Sequence, residues 1–135
     1  MELIDSSAWI EYLRATGSAA HLEVRRLLQV DLSVIVTTEP VIMELLAGAT
    51  NDHVVKKLEE LITGLRLLPV DAAADYRDAA AIYRTVQRGG RTVRKLLDCL
   101  IASVAVRTGA TLVHHDRDFD VLAACLPDLR VRSLV

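Results

Sequence analysis

The sequence is poor in aromatic residues and has no long apolar run. Aromatic side chains make up 4% of the 135 residues, whereas 52% of the residues are hydrophobic. The core is therefore expected to be aliphatic, built from Leu, Val, Ile and Ala. The longest apolar runs are broken at Asp98 and Arg107, well short of the ~18 to 20 residues that a membrane span needs. No membrane-spanning segment is predicted.

Cysteine is scarce as well. The two cysteines, Cys99 and Cys125, both fall in apolar, helix-like segments, which is typical of reduced core thiols and not of a disulfide framework. The opening residues Met1–Asp5 lack the basic stretch and apolar segment of a secretory signal. We therefore expect a cytoplasmic protein.

Several carboxylates interrupt apolar segments, where a charge is costly. Asp5 closes the apolar stretch at the amino terminus, and Asp116 follows a strand-like run, with Asp118 two residues later. Glu44 and Asp98 lie inside apolar helical patterns. A carboxylate in apolar surroundings must be paired with a cation or bind a metal. Since no Lys or Arg is placed to pair locally with Asp5, Glu44 or Asp98, we predict a composite site for a hard divalent cation, held by carboxylate oxygens.

Each acid also has a simpler interpretation, which the sequence leaves open. Asp5 can cap the helix that follows it, and Glu44 can face solvent from an amphipathic helix. Asp116 and Asp118 can form a turn with an ion pair to Arg117. The occurrence of such acids on four separate elements favours the metal site over these interpretations.

The charge balance limits the kinds of partner. A net charge of −2 argues against a protein that binds nucleic acid through charge alone, because such proteins are normally basic. Without the five acids described above, the net charge would be +3. This balance permits a nucleic-acid surface around an acidic centre.

Strand-like and helix-like segments alternate along the chain. The predicted strands cover residues 1–5, 32–36, 65–70, 110–114 and 129–135. Predicted helices begin after Ser6 or Ser7, at Ser18, at Thr38 to Pro40, at Asn51 or Asp52, at Asp71, at Leu96 and at Phe119. The alternation predicts one α/β domain over residues 1–135, with a central parallel β-sheet flanked by helices on both faces. Sites in such sheets gather at the carboxyl ends of the strands, where Asp5 and Asp116 both fall.

A basic connector precedes the helix that carries Asp98. Arg91, Arg94 and Lys95 follow a glycine pair that ends the preceding helix. These charges either remain solvated in a loop or are delivered to the acids. Near the acids, Arg91 and Arg94 would position the phosphates of a nucleic-acid substrate.

These features resemble the PIN-domain ribonucleases, specifically the VapC-type toxins of prokaryotic toxin–antitoxin pairs. The resemblance covers the full length. It rests on residues 5–10 (Asp-Ser-Ser-Ala-Trp-Ile), Glu44, residues 93–102 (Val-Arg-Lys-Leu-Leu-Asp-Cys-Leu-Ile-Ala) and residues 114–119 (His-His-Asp-Arg-Asp-Phe). One departure is His114, because relatives often carry a small hydroxyl residue there.

The resemblance implies a PIN-like fold and Mg²⁺- or Mn²⁺-dependent endonucleolytic cleavage of RNA, such as tRNA, rRNA or mRNA. It implies that Asp5, Glu44, Asp98 and Asp116 form the catalytic centre, and that metal is held by Asp5, Asp98, Asp116 and Asp118. It also implies a homodimer and a small VapB-like antitoxin that binds the toxin in a hetero-oligomer.

The first helices carry more large apolar residues than a simple amphipathic face requires. Ordinary core packing accounts for part of this set. We expect the others, with Trp9, Leu13 and Leu45 as candidates, to line a hydrophobic groove for an amphipathic segment of the antitoxin.

Two functions without nuclease activity compete with this interpretation. A receiver-type signalling module is also a small α/β protein with acids at strand ends, but it needs an acidic pair after the first strand and a phosphoacceptor after the third. Here serines follow Asp5, and Asp71 is predicted to be a helix cap. A PIN-like domain retained as a metal-binding regulatory scaffold is the other alternative.

Overall fold

Five parallel strands form a single sheet in the order β3-β2-β1-β4-β5 in the computed structural model, which describes residues 1–135. The strands are β1 (Glu2–Ile4), β2 (Ile35–Thr37), β3 (Arg66–Leu67), β4 (Thr111–His114) and β5 (Val131–Ser133). The helices are α1 (Ser6–Leu13), α2 (Ala19–Val30), α3 (Glu39–Ala47), α4 (Asp52–Thr63), α5 (Asp75–Arg88), α6 (Leu96–Thr108) and α7 (Arg117–Cys125). The predicted α/β architecture with a central parallel sheet is confirmed.

Strand β1 lies at the centre of the sheet. Leu3 is in register with Val36 of β2 on one side and with Leu112 of β4 on the other. The chain first winds outward from β1 to β3 and then crosses to β4, so the winding direction reverses between β1 and β4. Ligands of open α/β sheets bind at such a reversal, beyond the carboxyl ends of the strands. A receiver domain has the strand order 2-1-3-4-5, and the observed order therefore excludes that alternative.

Capping side chains begin several helices where the sequence predicted them. Ser18 accepts a hydrogen bond from the backbone N–H of His21 at the start of α2, and Asn51 accepts one from Val54 at the start of α4. Pro40 lies in the first turn of α3, where its missing N–H costs nothing. At the end of α6, Gly109 adopts a left-handed conformation (φ 73°), which terminates the helix.

Several predicted boundaries are wrong. Residues 32–34 form a 3₁₀ turn, so β2 begins at Ile35, and α7 begins at Arg117 instead of Phe119. Strand β3 has only two residues, because Pro69 has no N–H to continue the ladder after the backbone N–H of Leu68 donates to Thr37. Helix α5 begins at Asp75 and not at Asp71. Asp71 instead accepts a hydrogen bond from the backbone N–H of Ala73 and so caps a turn that precedes the helix.

The core is aliphatic and includes the middle of α6. Every residue from Asp98 to Ala105 is buried, and Trp9 and Phe119 are the aromatic side chains that are fully buried. Both cysteines are free thiols, and burial raises the pKa of Cys99 to about 11. No helix combines the length and apolarity that crossing a membrane requires.

An ion pair between a buried aspartate and a partly exposed arginine joins α5 to α6, away from the acids at the sheet edge. Asp75 is fully buried and accepts hydrogen bonds from Ser103 Oγ at 3.0 Å and from Arg107 Nη2 at 2.8 Å. Burial alone would raise the pKa of Asp75, but these bonds, with one from the backbone N–H of Asp71, hold it below its ordinary value. Both carboxylate oxygens of Asp75 therefore accept hydrogen bonds, unlike those of the buried acids described next.

Candidate metal centre

Asp5 serves as a helix cap and also as a site acid. It is buried at the end of β1, and its Oδ2 accepts a hydrogen bond from the backbone N–H of Ser7 at 2.9 Å. Its Oδ1 is buried without a hydrogen-bond partner. Burial raises the pKa of Asp5 to about 6, against the Ser7 hydrogen bond, and the charge of Glu44 adds to the rise. Both interpretations of Asp5 therefore hold, because one oxygen caps α1 and the other is left for a ligand.

Asp98 lies in the first turn of α6 with no apparent structural partner. Its side chain is buried, and its Oδ2 makes no hydrogen bond. Burial raises the pKa of Asp98 to about 7, and the neighbouring charge of Asp5 raises it further than the charge of Lys95 lowers it. A buried carboxylate oxygen without a donor is costly in a folded protein, so Asp98 fits a cation ligand better than a structural role.

Asp116 and Asp118 complete the acidic cluster from the turn after β4. Asp116 caps α7, with its Oδ1 accepting a hydrogen bond from the backbone N–H of Asp118 at 3.0 Å. One carboxylate oxygen from each of Asp98, Asp116 and Asp118 lies within 4.8 Å of the others. Three carboxylates at this spacing are a donor set suited to a hard divalent cation.

Glu44 lies beside this cluster and is held by two donors. Ser6 Oγ donates to its Oε1 at 3.0 Å, and Lys95 Nζ donates to its Oε2 at 3.2 Å. Its side chain is mostly buried, so the interpretation of Glu44 as a solvent-facing residue is wrong. The charge that Glu44 exerts on both Asp5 and Asp98 places it at the same site.

The basic connector enters the acid centre. The backbone N–H and the Nε of Arg94 both donate to Asp118 Oδ2 at 3.0 Å, while its Nη2 donates to Asp116 Oδ1 at 2.9 Å. Lys95 pairs with Glu44 on the other side of the site. Asp116, Asp118 and Glu44 therefore do have cationic partners. The tertiary structure brings Arg94 and Lys95 to them from a connector that is distant in sequence. Arg91 is exposed and makes no ion pair.

Ser6 and Ser7 have site roles that sequence reasoning missed. Ser6 orients Glu44, and Ser7 Oγ accepts a hydrogen bond from the backbone N–H of His115 at 2.9 Å. That bond ties the turn after β4 to the start of α1. The two serines directly after Asp5 were the available signal, but the sequence indicated them only as helix caps.

The three candidate partner-binding residues separate by burial. Trp9 is fully buried, so its expected contact with a partner is corrected to a role in the core. Leu13 is exposed, while Leu45 is buried at the base of a groove of about 330 Å³ between α1, α3 and α4. The groove is further lined by Ile10, Val54 and Leu58, and it reaches Glu44.

Comparison with known proteins agrees with the class that this fold and site define, a small α/β domain with a carboxylate metal centre. The family model for the PIN domain matches residues 3–124. Ribonuclease VapC11 of Mycobacterium tuberculosis is 55% identical over 123 residues, which are 91% of this chain and 92% of the relative. The VapC ribonuclease Mb1587 of Mycobacterium bovis matches equally well. The chain belongs to the PIN-domain family and, within it, to the VapC ribonucleases.

Solved structures share the fold at low sequence identity. VapBC from Salmonella typhimurium, in a DNA-bound complex, superposes with a TM-score of 0.76 at 20% identity, over 99% of this chain and 98% of that one. Mycobacterium tuberculosis VapC20, described as a toxin that cleaves the sarcin-ricin loop, gives a TM-score of 0.65 at 22% identity, over 96% and 99%. The PIN-like fold predicted from the sequence is confirmed.

Proposed function

We propose that this chain is a metal-dependent endoribonuclease, the toxin of a toxin–antitoxin pair, with residues 1–135 acting as one PIN domain in the cytoplasm. The observation that carries the proposal is the pair of buried, unpartnered carboxylate oxygens, Asp5 Oδ1 and Asp98 Oδ2, beside two further acids at the switch point of the sheet. The high identity to proteins named ribonucleases supports RNA as the substrate.

The donor set fits Mg²⁺, with Mn²⁺ as a substitute, because all of the groups are hard carboxylate oxygens. Asp98, Asp116 and Asp118 would hold the cation, with Asp5 beside them. The chemistry that such a cation supplies when bound is activation of water and neutralisation of phosphate charge.

The remaining residues orient the acids. Ser6 donates a hydrogen bond to one carboxylate oxygen of Glu44, and Lys95 donates to the other. The two bonds fix that carboxylate beside Asp5 and Asp98. We assign Asp5, Glu44, Asp98 and Asp116 as the catalytic residues. A centre with so many acids repels a phosphodiester, so substrate binds only when their charge is compensated.

Arg91 and Arg94 are assigned to the substrate. Arg94 contacts one oxygen of Asp118 and one of Asp116. A cation that binds these oxygens would displace the guanidinium, which would then lie beside the centre, where an RNA phosphate would bind. Arg91 is exposed in the same connector. Arginine binds phosphate through paired N–H donors, so both residues would position the phosphates that flank the cleaved bond. The substrate class is a structured RNA such as a tRNA, an rRNA or an mRNA.

The groove between α1, α3 and α4 is assigned to a VapB-like antitoxin. Leu13 and Leu45 present an apolar lining, which suits the apolar face of an amphipathic helix. Because Glu44 lies at the edge of this groove, a segment bound there ends next to the acid centre. Inhibition of the toxin follows from that position.

A second apolar surface is assigned to homodimerisation. Met43, Tyr76 and Leu96 are exposed large side chains on α3, α5 and α6, and the first two line a groove with Pro40 and Leu97. Met43 and Leu97 directly precede Glu44 and Asp98 in the sequence, so a second copy bound here would bring two acid centres close to one interface.

The activity is tested with purified chain and labelled structured RNA. Cleavage is expected with Mg²⁺ or Mn²⁺ and should be lost in EDTA and in Asp116→Asn. Robust cleavage in chelator, with the variant equally active, contradicts the metal centre. The competing regulatory module predicts metal binding without cleavage of any RNA tested, and it draws support from the ion pairs that neutralise the acids.

A further inference from the structure

His114 is a fully buried polar residue that the catalytic assignment does not use. It ends β4, two residues before Asp116, and its ring packs against Phe119 with ring centroids 5.3 Å apart. An imidazole nitrogen that accepts a hydrogen bond carries no proton, so a ring that accepts at Nδ1 is neutral. A neutral imidazole has one nitrogen that donates and one that accepts, so each nitrogen must have a distinct partner.

The partner of Nδ1 is the backbone of a metal-site acid. The backbone N–H of Asp116 donates to His114 Nδ1 at 3.2 Å. Because Nδ1 accepts, the ring proton lies on Nε2. Nε2 lies 3.3 Å from Asp120 Oδ1, although the contact lacks the alignment of a hydrogen bond. The surroundings of the ring thus select the tautomer that accepts from Asp116.

The far side of the ring is anchored to the last strand. Ser133 Oγ donates to Asp120 Oδ2 at 3.1 Å, and the backbone N–H of Leu134 donates to the His114 carbonyl at 2.8 Å. His114 is also in register with Ser133 across the β4–β5 pair. The imidazole therefore lies in a chain of contacts that runs from β5 to the backbone of Asp116.

The orientation of Asp116 determines that of Asp118, because Asp116 Oδ1 accepts the backbone N–H of Asp118. We propose that His114 is a positioning residue, which holds the turn of Asp116 and Asp118 through its Nδ1 so that both carboxylates face Asp98. This rests on the proposed function in that the acids are taken to hold a divalent cation. In this chain the ring would act through the backbone of Asp116.

Two substitutions separate the two ring nitrogens. Asn carries an oxygen acceptor near the position of Nδ1, whereas Gln places its terminal amide near the position of Nε2. We expect His114→Asn to bind Mn²⁺ within about threefold of the unaltered chain, and His114→Gln to bind it about tenfold or more weakly, as when residues that support a metal ligand are lost. Binding is measured by titration calorimetry without RNA, on variants whose circular dichroism matches that of the unaltered chain.

The relative Mn²⁺ affinities of the two variants test the proposal. Equal Mn²⁺ affinity in both, or stronger binding by His114→Gln, overturns the proposal. Where a variant fails to fold, nitrogen NMR of the unaltered chain gives the answer. A proton on Nε2 and a bare, accepting Nδ1 support the proposal, and a proton on Nδ1 overturns it. If the unaltered chain binds no divalent ion, the proposed function fails, while the NMR result still decides how His114 holds Asp116.

Discussion

Arg94 Nη2 lies 2.9 Å from Asp116 Oδ1, so the chain carries its own cation into the centre that is expected to bind a metal. The guanidinium also contacts Asp118, while Lys95 contacts Glu44. Adjacent residues of one connector thus neutralise acids on two sides of the site. Asp5 and Asp98 are not paired in this way, and they are the acids whose pKa values burial raises.

Arg94→Ala is expected to bind Mn²⁺ more tightly than the unaltered chain in the absence of RNA, because the ion no longer competes with the guanidinium. RNA binding by the same variant should weaken, and the dependence of log affinity on log salt should become shallower by about one unit. Calorimetry for the ion and filter binding for the RNA measure the two effects.

Arg91→Ala is the matched control, because Arg91 shares the connector but makes no ion pair. It should weaken RNA binding in the same way and leave Mn²⁺ affinity unchanged. Exposed arginines rarely contribute more than about 0.5 kcal/mol to folding, so both variants should melt close to the unaltered chain. If Arg94→Ala binds Mn²⁺ more weakly, Arg94 supports the metal site and does not compete for it.

Asp98→Asn should abolish cleavage and leave the metal-free protein as stable as before, or more stable. The substitution removes a charge that faces other carboxylates, and like charges in one site destabilise the folded state. The gain should grow as the pH rises through the folded-state pKa of about 7, because Asp98 is charged only above it. Thermal melts in EDTA measure the difference, and a markedly lower melting temperature would contradict the metal-ligand role.

Asp75→Asn is the control for that experiment. Asp75 is as buried as Asp98 but is paired with Arg107 and bonded to Ser103. Removing its charge strands a partly exposed guanidinium, and we expect a loss of about 2 kcal/mol or more. Stability changes of opposite sign for Asp98→Asn and Asp75→Asn would distinguish an acid of the metal site from a structural acid.

The stability of the metal-free protein should fall as the pH rises from about 4 to about 7, as far as Asp5 and Asp98 determine it. Their folded-state pKa values, about 6 and about 7, lie above the ordinary value of 3.8. The folded state therefore holds protons that the unfolded state has lost, and raising the pH removes this stabilisation. Melts across this range in EDTA should show a smaller fall for Asp98→Asn. An equal slope in both proteins would indicate that Asp98 is not the group that titrates.

Leu13→Gln should weaken binding of the antitoxin, and Leu22→Gln should not. The two leucines are similarly exposed, at 45% and 47%, but only Leu13 lines the groove between α1, α3 and α4. Surface substitutions of this kind change stability by about 0.5 kcal/mol or less, so a difference in affinity reports contact. Equal affinities of the two variants for the antitoxin would indicate that it binds another surface.

The sequence predicted the features that depend on local pattern. Alternating strands and helices placed Asp5 and Asp116 at strand ends, and parallel strands end at one edge, so their proximity followed. Capping residues predicted the starts of α2 at Ser18 and α4 at Asn51, whereas Asp71 misplaced the start of α5. The pairing of Arg94 with Asp116 could not be predicted in the same way, because it depends on where the connector passes after α5 packs on α6. The burial of Trp9 could not be predicted either, because an apolar residue on α1 could face either the sheet or a groove.

The central position of β1 has a consequence for the time at which the site forms. Its neighbours in the sheet are residues 35–36 on one side and residues 111–113 on the other, so one flank of the strand stays open until residues 111–113 have been made. Pairing over such sequence distances is slow to form. A nascent chain on the ribosome therefore holds Asp5, Glu44 and Asp98 before it holds the strand that brings Asp116 to them. Any nuclease activity can therefore begin only after residues 111–118 have been made and β4 has joined the sheet.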